Sequence, residues 1–155
     1  MRTYSSHLLH FYLVRLAGLL AAAACFLMLP APGNAATLSP ADEKSVRAVI
    51  QAQLAAFAKD DAHKAFSYVA PNVRETMGSA AVFLAVVRSE YPMIYRPTLV
   101  AFLKPEAKQN VVIQRVQMLD ASGDAWLAIY SLQRSKGKVW RITGCVVVEN
   151  KGRMA

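Results

Sequence analysis

Cysteine and histidine are nearly missing from this chain. It has 155 residues with two cysteines, Cys25 and Cys145, and three histidines, His7, His10 and His63. Cys25, His7 and His10 fall in the first 35 residues, so the remainder holds one thiol and one imidazole. A single cysteine excludes an internal disulfide there. With no His/Cys/Asp cluster at ligand spacing, a structural or catalytic zinc site is not expected, and no cofactor is implied. Internal repeats and low-complexity segments are absent too. Acid is also scarce, with 18 Lys+Arg against 10 Asp+Glu and a formal net charge of +8.

What is present first is an export pattern. Arg2 and Arg15 precede the apolar run Leu16 to Leu29, followed by Pro30, Pro32 and Gly33-Asn34-Ala35. A basic start, an apolar stretch and small residues before a cut after Ala35 are the layout of a secretory signal peptide. The run has 14 residues, short of the roughly 20 that span a bilayer; a retained anchor remains the alternative if Leu8 to Val14 lengthen it. Cys25 is followed by Phe26-Leu27-Met28-Leu29, whereas a lipidated cysteine should end the apolar region. The expected product is a periplasmic or secreted domain, residues 36–155, with no membrane span after cleavage. Losing Arg2 and Arg15 leaves 16 Lys+Arg against 10 Asp+Glu, a net +6. In an exported protein that excess argues for solubility, or for an anionic surface or acidic small molecule, rather than nucleic acid.

The rest is long enough for one domain with one core. Ser39, Pro40, Asp42 and Glu43 form a helix start, and Val46, Val49, Ile50, Leu54 and Phe57 share one arc at the helical period. That helix runs to about Lys59. Asp60-Asp61 breaks and recaps, a short helix covers Ala62–Val69, and Asn72 to Met77 makes a turn closed by Gly78. Ser79 caps a further helix to about Glu90, with Val82, Phe83, Val86 and Val87 as its buried stripe. After Tyr91-Pro92 the period becomes 2, predicting four strands, Thr98–Leu103, Val111–Leu119, Ala125–Gln133 and Val139–Val148. Glycine-bearing turns join the last three as an antiparallel meander. Trp126, Ala128, Tyr130 and Leu132 face the core. Gly144 suggests a bulge that brings Cys145 and Val147 to that face. Helices first and strands second predict an α+β fold, with helices on one face of a bent four-stranded antiparallel sheet. Leu127, Ile129 and Val146 make the other face partly apolar, hence a possible homodimer.

Several local sequences carry a resemblance. They are Gln53-Leu54-Ala55-Ala56-Phe57 with Asp60-Asp61, Ala65-Phe66 with Ala70-Pro71, Arg88 with Tyr91, Tyr95-Arg96-Pro97, and Trp140-Arg141-Ile142-Thr143-Gly144-Cys145. Together they resemble an uncharacterised bacterial secreted family, a domain of unknown function, in the nuclear transport factor 2-like (cystatin-like) superfamily. The resemblance covers about Val46 to Val148 and implies a cone: helices in the concave face of the sheet, with a cavity at its open end. Met77 stands where relatives often have Phe. The superfamily contains isomerases and dehydratases beside non-catalytic binders, so fold leaves function open.

The candidate ligand-binding residues are Gln53, Tyr91, Tyr95, Arg96 and Tyr130. Gln53 lies inside the first helix's apolar arc, where a buried amide must be hydrogen-bonded, either to a ligand or as a tie from helix to strand. Tyr91, Tyr95 and Arg96 gather where helix gives way to sheet, the expected mouth; equally, the tyrosines plug the core and Arg96 pairs with an acid such as Glu90. Tyr130 and Trp126 are core aromatics or pocket walls. A general base would be sought at Asp60 or Asp61, but Asp61 is explained as a helix cap. His63 reads as a surface residue, and Ser67 has no imidazole placed to activate it. Cys145 reads as a small buried hydrophobe, and Arg134, Lys136, Lys138 and Arg141 as a solvated basic hairpin. The expected function is non-catalytic binding of a small apolar or amphipathic ligand or a protein partner. Alternatives are a small cofactor-free enzyme of isomerase or dehydratase type, or an assembly module using the outer sheet face.

Overall fold

The structure, a computed structural model, describes residues 38–151; the expected signal peptide and its cut after Ala35 lie outside them. Helix α1, Pro40–Ala58, begins at Ser39, whose hydroxyl accepts the Asp42 N–H at 3.1 Å. It buries Val46, Ile50, Gln53, Ala56 and Phe57, one stripe at the helical period. Asp60 then takes a left-handed φ of 56°, a conformation aspartate tolerates better than most side chains. Asp61 caps α2, Ala62–Ser67, by accepting the Lys64 N–H at 2.9 Å.

Helix α3, Pro71–Met77, ends at Gly78, whose φ of 78° needs a residue without Cβ. Ser79 caps α4, Ala80–Glu90, and the four-residue α5, Pro92–Tyr95, follows. The expected stripe on α4 needs one correction. Val82 is 51% exposed, because Ala80, Phe83 and Val87 define the inward arc and position 82 lies off it.

The sheet has five strands, not the expected four: β1 Leu99–Phe102, β2 Glu106–Lys108, β3 Val111–Leu119, β4 Ala125–Arg134 and β5 Trp140–Glu149. All pairings are antiparallel, in the order β1-β3-β4-β5, and β2 also pairs with β3. Strands β1 and β2 are two halves of one edge. They flank Pro105, which has no N–H to give the ladder. At the break the Gln114 amide nitrogen donates to the Leu103 carbonyl at 2.6 Å. A bulge sits in β5 as expected, but at Thr143 rather than Gly144: Ser131 pairs with Gly144 and Leu132 with Ile142. The skipped Thr143 returns its hydroxyl to the Ser131 carbonyl at 3.1 Å.

The helices cover one sheet face. Val112, Gln114, Val116 and Met118 of β3, with Ala128, Tyr130 and Leu132 of β4, are buried there against α1, α2, α4 and α5. Beyond the bulge, Cys145 and Val147 pack on the same core, while Val146 and Val148 are exposed. The link between α2 and α3 is fastened to β5 by two backbone bonds. Ala70 N–H donates to Ile142 O at 2.8 Å, and Ile142 N–H to Tyr68 O at 2.9 Å. Among the described residues no helix is long and apolar enough to cross a membrane.

Candidate functional site

Between the helices and the inner sheet face lies a cavity of about 260 Å³. Each wall follows from a local choice already described. Helix α1 contributes Gln53 and Phe57, one turn apart on its buried stripe. The α2–α3 link, held to β5, brings in Val69, and α3 adds Val73 and Met77. From α4 come Phe83, Val86 and Val87, then Tyr91 and Ile94 at the passage into α5. Tyr130 of β4 and Ile142, Gly144 and Cys145 of β5 close the sheet side. The rings of Phe57 and Phe66 both tilt onto Phe83, at 5.7 and 5.4 Å between centroids.

The wall is apolar apart from a few uncharged groups. Gln53 is 3% exposed and its amide nitrogen donates to the Ala65 carbonyl at 3.2 Å. The tie runs helix to helix, from α1 to α2, rather than helix to strand. The Tyr130 side chain is fully buried and its hydroxyl makes no hydrogen bond. The Cys145 thiol lies alongside it, near enough for each to perturb the other's ionisation. Burial drives both groups toward the neutral form: the Tyr130 phenol is pushed well above its usual value and the Cys145 thiol up to about 12. Cys145 keeps some accessible surface because it borders the cavity, yet enough protein surrounds it to hold the proton. Such a thiol is a poor nucleophile.

Two expected site residues turn away from this cavity. Tyr95 and Arg96 meet at Asp60, together with Arg88. Asp60 Oδ1 takes the Tyr95 hydroxyl and, at 2.6 Å, the Arg88 guanidinium; Oδ2 takes Arg96 at 3.0 Å. Both guanidiniums lie over the Tyr95 ring, at 5.1 and 4.8 Å from its centroid. The Tyr95 hydrogen bond, then Arg88, holds the Asp60 carboxyl below its ordinary range. Arg96 therefore pairs with Asp60 and not with Glu90.

The remaining candidates are accounted for individually. Asp61 caps α2, His63 is exposed, and the Ser67 hydroxyl donates to the Lys64 carbonyl at 2.7 Å. In the basic hairpin, Arg134 pairs with Asp42 at the start of α1 and stacks 5.1 Å over Trp140. Trp126 is tied by its indole N–H to Asp120 at 2.8 Å. Among the described residues no group of three or more His, Cys, Asp or Glu could hold a metal ion. Sequence reasoning missed Phe83, Val73 and Met77 as wall residues. Their only signal was a helical period, which marks a buried face without saying that the face borders a void.

A family model described as a domain of unknown function (DUF4864) matches residues 39–155. No curated protein matches the chain. A solved structure of an NTF-2 like protein of unknown function from Burkholderia xenovorans LB400 is similar at 14% sequence identity, covering 73% of this chain and 88% of that one, with a TM-score of 0.45.

Proposed function

The chain belongs to the DUF4864 family, a domain of unknown function, and from the geometry of its cavity we propose that it binds a small apolar or amphipathic molecule without transforming it. One observation carries this reading: a cavity of about 260 Å³ whose wall is mainly apolar, with no charged side chain among the described residues that line it. Among the described residues the wall holds no carboxylate and no imidazole, so none of them matches the general base of an isomerase or dehydratase. The layout of residues 1–35 supports a site of action outside the cytoplasm.

Native mass spectrometry of the protein isolated from its own cells tests both parts. The expected result is a mature chain beginning at Ala36 that carries a molecule released by organic solvent. A ligand-free chain that also takes up no apolar probe in solution would overturn the binding reading. A mass retaining the first 35 residues would overturn the cleavage.

A second reading concerns the outer sheet face, where Val146 and Val148 are 61% and 43% exposed. In it, a second copy or a protein partner covers that strip. Sedimentation showing a monomer at micromolar concentration removes the homodimer.

A further inference from the structure

Resting on the binding reading above, we infer that the cavity selects by charge: its ligand is a neutral molecule of about ten heavy atoms. Size follows from volume. An apolar cavity of roughly 150 Å³ holds benzene, and this one measures about 260 Å³. Charge follows from the wall. Its titratable side chains are Tyr91 at the α4–α5 junction, Tyr130 on β4 and Cys145 on β5, while α1, α2, α3 and α5 contribute none. Tyrosine and cysteine side chains are uncharged at neutral pH, and no lysine or arginine is present.

An anion entering such a wall leaves water and meets no countercharge, which is strongly unfavourable. The guanidiniums on the same stretch of chain offer no remedy. Arg88 follows the wall residue Val87, and Arg96 follows Ile94 by two, but both are bound to Asp60. An acidic ligand therefore enters only as its protonated form, and the acid's own titration sets its apparent affinity. A neutral oxygen faces no such barrier.

The test uses two flexible probes of equal size, nonan-1-ol and octanoate, titrated calorimetrically into the described domain within the mature chain. At pH 7 nonan-1-ol should bind at least about 100-fold more tightly, since a carboxylic acid titrating near 4.5 is neutral in under one molecule in a hundred. From pH 7 to pH 5.5 octanoate should gain nearly tenfold per unit while nonan-1-ol stays constant. Octanoate binding within tenfold of the alcohol at pH 7, or independently of pH, overturns the charge selection while leaving cavity binding intact. Failure of nonan-1-ol itself to bind overturns the binding reading, and the selection with it.

Discussion

One short stretch, Val86 to Arg96, serves two regions of opposite character. Val86, Val87, Tyr91 and Ile94 wall the inner cavity, while Arg88, Tyr95 and Arg96 converge on Asp60. At Asp60 charge is plentiful, both carboxylate oxygens are bonded and the side chains stay about half exposed. Along the cavity wall charge is absent among the described residues, most side chains are buried and the Tyr130 hydroxyl goes unpaired. The contrast separates two uses of polarity. Solvated ion pairs contribute little each because water competes for them and salt screens them. A buried hydroxyl left without a partner lowers stability.

Changes in the two regions should therefore differ in size and even in sign. Phe57→Ala should have the largest effect. It removes a ring that is 1% exposed and packed on Phe83, and should lower unfolding free energy by roughly 3–5 kcal/mol in urea titration. A loss under about 1 kcal/mol would mean the cavity walls are not part of the core.

Next comes alkaline pH. The Cys145 thiol has an ordinary value of 9.0 and a folded value of about 12. The unfolded chain ionises first, so stability is full below pH 9 and falls as pH rises toward 12, by about 4 kcal/mol for this group. Cys145→Ala should delay the onset to the range where unfolded tyrosine ionises, since the folded Tyr130 phenol is also raised. An unchanged alkaline limb would show that the thiol is solvated.

Tyr130→Phe runs the other way. Deleting a buried hydroxyl without a partner should raise the stability of the unliganded protein by about 1 kcal/mol. A loss of that size would reveal a hydrogen bond at Tyr130 and remove the distinction between the two regions.

Asp60→Ala should have the smallest effect, a modest fall in Tm that shrinks with added salt. The folded carboxyl titrates below its ordinary value of 3.8, so its contribution is present above that value and disappears as pH falls through the folded one. The variant's deficit should therefore vanish in acid. A deficit that persists there would assign the effect to the left-handed turn rather than to the charge.

How much of this was legible in the sequence depended on distance along the chain. The caps at Ser39, Asp61 and Ser79 were readable because each bonds an N–H three residues ahead. The change from helices to an antiparallel meander was readable from the period. Strand β2 was not: three residues after a proline are too few to establish a period, and only the register on β3 makes them a strand. The Asp60 cluster was hidden because its partners lie 28 to 36 residues away. Gln53 was legible as buried, but not that its amide reaches α2.

Residue order alone settled where the capped helices begin, which side chains of the first helix turn inward and that helices precede strands, since those outcomes rest on contacts within a turn or two. Packing alone decided that the inward faces leave a void, that Tyr130 is shut in beside Cys145 without a partner, and that Arg88 and Arg96 are taken by Asp60. Burial and electrostatic environment are sums over neighbours distant in sequence, and those neighbours exist only once the sheet has closed against the helices.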